Sequence, residues 1–265
     1  MQRSRVFQWL LLKIASLLLA FHAHALNASG IVNIPPKSGP ESELHLARMV
    51  FTHGLHSNWG PGRPWWRIDW PAAEHFFIGG LERYTAIDVA GDSVHMSLNH
   101  EALFDYPWLF AQQVGRWQLT DDEVLRLREY LYRGGFLAVD DFHGPVQWQI
   151  FEQTLQRVLP DHQWVELGER DELMHVLYTL DQRTQIPGRR HVRGTAAGGV
   201  AVQMPFSPPR WRGIHDADGR LMVAINFNMD MGDAWEHADD PVYPVAMTSL
   251  AYRFGINYIV YAMTH

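Results

Sequence analysis

The chain has no cysteine. Thiolate catalysis, disulfide cross-links and a lipid-modified cysteine are therefore excluded at the outset. No serine sits in a Gly-x-Ser-x-Gly elbow, so the familiar hydroxyl nucleophile of that turn is missing as well. Basic residues are few: 22 Lys and Arg stand against 29 Asp and Glu, a net charge of −7. That balance argues against a nucleic-acid partner, which asks for a basic face. The local exception is Arg189, Arg190, His191 and Arg193, set between Pro187-Gly188 and Gly194, which reads as a solvated loop in preference to a binding patch. Nor is there an uninterrupted apolar run of about 20 residues, the length a spanning helix needs; Lys13 breaks the one that begins to form. No internal repeat or low-complexity segment is visible.

The N-terminus has the layout of a secretory signal: Arg3 and Arg5, an apolar stretch Ile14 to Phe21, then Ala23-His24-Ala25 as a small-x-small cleavage site. Residues 1–25 are expected to be a signal peptide, cleaved after Ala25, with a retained anchor as the alternative and the only expected membrane contact. Removing them, with Arg3, Arg5 and Lys13 and no acid, leaves 19 basic and 29 acidic residues, a net charge of −10. The expected location is the periplasm or the exterior. Residues 26–46 read as an extended lead-in rich in Pro, Ser, Gly and Asn, and 47–265 as a single domain.

The most informative stretch is Leu119 to Pro145. Thr120 with Glu123 makes a capping box, and Asp121 and Asp122 add negative charge to the first helical turn. Val124, Leu127 and Leu131 recur at helical spacing, and Gly134-Gly135 stops the helix. Phe136 to Val139 is an unbroken apolar run, the pattern of a strand covered on both faces in a parallel sheet. It ends in Asp140, Asp141, Phe142, His143 and Gly144, and Pro145 opens another helix. Acids at the carboxyl end of a buried strand occupy the rim where open α/β sheets place ligands.

Elsewhere Ala47 to Thr52, Val94 to Leu98, Trp108 to Ala111 and Gln163 to Leu167 read as strands, with a helix after Pro71 and another from Pro145 to Pro160. Strands alternating with helices imply right-handed βαβ units and a mainly parallel sheet. After residue 170 the rhythm changes. Gly198 to Met204 suggests a strand, Trp211 to Ile214 and Leu221 to Phe227 a β-hairpin across Asp216-Ala217-Asp218-Gly219, and Val245 to Met263 a closing helix.

Asp105-Tyr106-Pro107, the Leu119–Glu123 helix start, the run Leu131-Tyr132-Arg133-Gly134-Gly135-Phe136-Leu137-Ala138-Val139-Asp140-Asp141, and the tail Asn257 to His265 together resemble the bacterial domain of unknown function 4159 family, over roughly residues 47–265. The resemblance implies a flavodoxin-like α/β fold of the class I glutamine amidotransferase-like type, akin to trehalose-utilisation-like proteins. The family has no assigned activity, so the likeness implies a fold and not a reaction. Where amidotransferases carry a cysteine, this chain has Asp140, Asp141, Phe142 and His143.

Asp140, Asp141 and His143 are the candidate catalytic residues. Neighbours in a strand point to opposite faces, so one aspartate would face a crevice while the other ties down the turn, unless the chain turns at once. The alternative is that both cap the helix after Pro145. His143, at a helix start, is a candidate base or metal ligand, or a structural residue. His56, Trp59, Trp66 and Asp69 belong to the Trp-rich segment after His53 and are candidate ligand contacts; a hydrophobic flap packed on the sheet is the preferred reading of its tryptophans. Asp230, Asp233 and Trp235 lie in an acidic stretch that reads first as a solvated turn, and otherwise as oxygen ligands joining Asp140 or Asp141 around calcium or magnesium. No cofactor is required by the sequence, and a divalent cation is compatible with it.

Three functions follow as expectations: a catalytically silent module binding an envelope component or protein partner; a glycan or peptide hydrolase using Asp140 or Asp141 with His143; or a structural subunit of a membrane-associated complex, contacting it through exposed tryptophans.

Overall fold

Odd and even residues of the same strands go to opposite sides of one sheet, and this division sets the architecture. The structure, a computed structural model, describes residues 42–53, 64–181, 183–195, 199–206 and 208–265, all within the unit Ile34–His265. In chain order the elements are β1 (Ala47–Val50), β2 (Thr52–His53), α1 (Ala72–Tyr84), β3 (Val94–Ser97), β4 (Trp108–Gln112), β5 (Trp117–Gln118), α2 (Asp121–Tyr132), β6 (Phe136–Phe142), α3 (Gly144–Val158), β7 (Val165–Glu166), β8 (Val192–Gly194), β9 (Val200–Val202), β10 (Arg210–His215), β11 (Leu221–Phe227), α4 (Met231–Glu236) and α5 (Val245–Thr264).

Seven strands form one sheet in the order β3-β1-β4-β6-β11-β10-β7. The first five are parallel, and β10 runs antiparallel to both its neighbours. Numbered by their order in the chain, the parallel strands read 2-1-3-4-5, which is the flavodoxin-like winding. β6 lies in the middle and is buried along its whole length. Phe136 and Ala138 pack with Phe77, Trp235, Phe254 and Tyr258 from the α1, α4 and α5 side. Leu137 and Val139 pack with Leu127, Leu131, Phe151 and Leu155 from α2 and α3.

α2 begins as expected. Glu123 N–H donates to Thr120 Oγ1 at 3.3 Å and Thr120 N–H donates to Glu123 Oε2 at 2.8 Å, closing the capping box. It ends at Gly134, whose φ of +106° suits glycine.

Two expectations need correction. The strand expected over Gln163 to Leu167 is only the two-residue β7, exposed and at the sheet edge, antiparallel to β10. The fifth parallel strand is instead β11, buried at all seven residues. It is one arm of the expected hairpin, which thereby completes the main sheet. The expected strand near Gly198 to Met204 is β9, which pairs with β8 in a small antiparallel sheet. Among the described residues no helix is long and apolar enough to cross a membrane.

Candidate functional site

The carboxyl rim of the sheet is where the backbone departs from ordinary geometry. Four non-glycine residues have positive φ among the described residues: Asp69 (63°), Gln113 (56°), Asp141 (50°) and Asn228 (60°). Gln113 follows β4, Asp141 is the penultimate residue of β6, and Asn228 follows β11. Asp69 precedes α1 and accepts the Ala73 N–H through its carbonyl at 2.9 Å. Left-handed backbone at residues with a Cβ is strained and gathers at functional sites.

At Asp141 the strain has a visible origin. Ile225 of β11 pairs with Val139, and Phe227 with Phe142, so β6 uses three steps where β11 uses two. The extra residue is a bulge, which re-aims the side chains beside it. Asp140 and Asp141 consequently serve different partners. Asp140 Oδ2 accepts the N–H groups of Met231 (2.6 Å) and Gly232 (3.1 Å) at the start of α4. Asp141 accepts from Gln113 Nε2 through Oδ2, and its Oδ1 lies 3.0 Å from His143 Nε2. Neither aspartate caps α3. His143 is the residue before that helix; its N–H donates to Gln147 Oε1 at 2.7 Å, and Asn228 Oδ1 accepts the Gly144 N–H at 2.9 Å.

Around this dyad the chain collects further acids. Asp141, His143 and Asp230, all buried, place one ligand atom each within 4.8 Å of one another. Asp69, Asp230 and Asp233 form a second such trio, and Asp233, Glu236 and His237 a third. Asp230 Oδ1 accepts the Asp233 N–H at 3.0 Å, Asp233 Oδ2 accepts the Arg189 N–H at 2.7 Å, and Asp69 Oδ2 accepts from Gln112 Nε2 at 2.7 Å. Two glycines let backbone lie against these carboxylates. A Cβ at Gly188 would stand 2.7 Å from Asp230 Oδ2, and one at Gly232 would collide with the Gln112 amide.

Crowded, buried carboxylates resist ionisation. Burial, with Asp141 second, pushes Asp140 up to about 8. Burial and then the carboxylates of Asp141, Asp233, Asp69 and Asp140 hold Asp230 well above the usual carboxylate range. Asp69 is raised by burial, Asp233 and Asp141, against the opposing pull of Arg48 and Gln112. His143 Nδ1 and Asp140 Oδ1 are buried with no hydrogen-bond partner among the described residues.

A family model described as "Domain of unknown function (DUF4159)" matches residues 53–263. The chain belongs to this family. No curated protein matches it.

In this DUF4159 chain the expected site residues fall into four groups. Asp69, Asp141, His143, Asp230 and Asp233 are brought together. Asp140 lies outside these trios, its Oδ2 taken by the N–H groups at the start of α4. Trp66 and Trp235 are packed inside, which for Trp66 matches the preferred reading of its segment as a flap on the sheet. Trp235 is stacked on Phe77 at 4.2 Å in the core, and Trp66 is buried edge-on against His95 at 4.7 Å. Large aromatic surfaces beside a sheet edge are stabilised by that packing. His56 and Trp59 lie outside the described residues. The acidic stretch after β11 is not a solvated turn, since Asp230 is buried and α4 starts there.

Several DUF4159 site residues went unnoticed in the sequence. Gln112 and Gln113 end β4 directly after its apolar run, and two buried amides at a strand end are a readable signal. Arg48 is a charge inside an apolar strand, which demands buried partners. The Arg189–His191 turn, expected to be solvated, is fastened to Asp233 through the Arg189 N–H and to Asp240 through the Arg189 side chain. A cavity of about 800 Å³ between α1 and α5 is lined by none of these acids.

Proposed function

We propose that this rim holds a divalent cation through Asp141, His143 and Asp230, with Asp69 and Asp233 beside it, and that the chain is an exported, cation-dependent hydrolase. It would stand on an amidotransferase-like scaffold whose thiol position is taken by acids. The observation that carries this reading is the buried trio whose ligand atoms lie within 4.8 Å of one another. Like charges at that spacing repel strongly unless a proton or a cation lies between them. His143 supports it further. A metal-binding imidazole commonly donates one ring N–H to a carboxylate and offers the other nitrogen to the metal. Here Nε2 faces Asp141 and Nδ1 has no partner among the described residues.

Mixed carboxylate and imidazole donors suit manganese or zinc better than calcium. Such a cation supplies a water acidic enough to attack near neutral pH. Asp69 and Asp233 would accept and relay its proton, while the Gln113 amide and Asp141 fix the imidazole.

A silent binding module is the second reading. It is favoured by Asp141 being engaged on both oxygens, which leaves it poorly placed as a general base. The structural-subunit reading has less support, because Trp65 and Trp66 are buried.

The test is calorimetric titration of the purified chain with Mn²⁺ and Zn²⁺. Binding should weaken at least about tenfold in Asp230→Asn and His143→Ala, the loss typical of ligand-shell changes. Circular dichroism would establish that both variants remain folded. Absence of sub-millimolar binding, or binding indifferent to both substitutions, would refute the site. Cation binding without turnover of ester, glycoside or peptide substrates would favour the binding module.

A further inference from the structure

Beside the acids lies a group of the opposite kind. Arg116 closes the short turn Val114–Arg116 after β4. Its Nε–H donates to Gln113 Oε1 at 2.7 Å, and the same glutamine holds Asp141. Its guanidinium lies over the Trp65 ring at 4.4 Å, which fixes the plane of the fork. Arg190 and His191 lie on the turn that Asp233 fastens through the Arg189 N–H. Arg190 Nε–H donates to His191 Nε2 at 2.9 Å.

Among the described residues neither Arg116 nor Arg190 makes an ion pair, although other arginines of the chain do, as Arg48, Arg157 and Arg189 show. These cations also feel one another. Arg116 is weakened as a cation by burial, against the opposing pull of Asp141, with Arg190 adding a smaller repulsion. His191 is weakened by burial and then by Arg190 and His143. Two guanidiniums without an ion pair among the described residues, and two histidines, thus belong to the surroundings of the acid nest.

Resting on the cation reading above, we infer that Arg116 and Arg190 form an oxyanion clamp and that the ligand of this site carries a phosphoryl group. A ligand bridging a divalent cation and two guanidiniums needs at least three charged oxygens diverging from one centre. A phosphoryl group has them, while a carboxylate has two in one plane. Guanidinium forks match phosphate oxygens in pairs, and a fork held flat by stacking and a glutamine loses little freedom on binding. Gln113 is the shared support: through Oε1 it sets the clamp and through Nε2 it sets Asp141, so anion and cation positions are held by one side chain.

The test titrates the chain with inorganic phosphate, with and without saturating Mn²⁺, and repeats both titrations with Arg190→Gln and Arg116→Gln. The inference expects phosphate binding strengthened by Mn²⁺. It also expects a loss of about tenfold or more in each variant, the worth of a charge-assisted hydrogen bond. Mn²⁺ affinity should stay within about twofold in Arg190→Gln, whose side chain is exposed and outside the cation trio. Mn²⁺ binding without phosphate binding, or phosphate binding unchanged in both variants, overturns the clamp and leaves the cation site standing. Acetate binding as tightly as phosphate overturns the phosphoryl assignment. If Mn²⁺ does not bind, the cation reading falls; phosphate binding to the metal-free chain that both substitutions weaken would then still uphold the clamp, and its absence would end it.

Discussion

Two buried polar clusters share the rim of this sheet, and they are built on opposite rules. In the first, Arg48 of β1 is fully buried. It is ion-paired with Glu74 of α1 and donates to the carbonyls of Trp66 (3.1 Å) and Ile68 (2.6 Å) and to Gln112 Oε1. Charge there is matched by charge and by backbone. In the second, Asp69, Asp141, Asp230 and Asp233 are gathered, with His143 at 3.0 Å from Asp141 and His237 at 3.9 Å from Asp233. Gln112 touches both clusters. Among the described residues the first is complete in charge, an acid paired with a base, although Arg48 Nη2 and Glu74 Oε2 have no hydrogen-bond partner there. The second is incomplete in charge among the described residues, and that excess of acids is what recommends it as a site.

The comparison breaks most visibly if the complete cluster is opened. Arg48→Met strands Glu74 in the core, and loss of one partner of a buried pair costs about 3–5 kcal/mol. Denaturant unfolding should report that loss. Arg48→Met combined with Glu74→Leu should recover much of it. A double variant as unstable as the single would show that the arginine's backbone contacts, and not the pairing of charges, carry the cluster.

The incomplete cluster should respond to protons instead. Asp140 is pushed up to about 8, and Asp69 and Asp230 are also raised. Between about pH 4 and about pH 8 the folded, metal-free chain therefore holds protons that the unfolded chain has released. Its stability should rise as pH falls through that window, by on the order of 1 kcal/mol per pH unit at most for each group. Urea unfolding at a series of pH values would measure the slope. Asp140→Asn, which keeps an oxygen for Met231 and Gly232, should flatten it, and saturating Mn²⁺ should also flatten it.

A smaller effect is expected from Asp230→Asn. Asparagine still caps α4 while removing one charge from the nest, so the metal-free chain should gain roughly 1–2 kcal/mol, on the scale of about one pKa unit. The same variant should gain nothing from added Mn²⁺. Thermal melts with and without the ion would show the crossover. A destabilised metal-free variant would contradict the repulsion argument.

The smallest effect serves as the control. Thr120→Ala removes the α2 capping box and should cost about 1 kcal/mol, with the ion response unchanged. A melting shift that also altered Mn²⁺ binding would mean that the two ends of β6 are not independent.

Much of the frame was legible because it is written locally. The capping box of α2, the Gly134-Gly135 stop, the unbroken β6 run and the acids at its end all lie within one stretch; the alternation of strands and helices implied a mainly parallel sheet, and the family resemblance implied its flavodoxin-like winding. What was hidden depends on partners distant in sequence. Nothing near Asp230 signals that β11 lies beside β6 and delivers it to Asp141. Strand alternation told that the two acids would differ, but the bulge at Asp140–Asp141 exists only relative to β11, so which acid takes which partners could not be read from their adjacency. Trp66 and Trp235 look like ring-binding surfaces until the side chains that cover them are known. Arg48 went unnoticed although it stands in an otherwise apolar strand, and its partner Glu74 lies 26 residues away on a helix.

Gln112 also imposes a direction. An arginine can only donate, so the glutamine must turn its oxygen inward and its NH₂ outward. The outward neighbour at position 69 is thereby required to be an acceptor. As long as the guanidinium occupies the interior, a lysine or arginine cannot replace Asp69 without inverting the amide and leaving two donors in opposition. The hidden cation thus dictates the polarity of the outer face one residue removed, and a redesign of that face toward basic chemistry would have to begin in the interior.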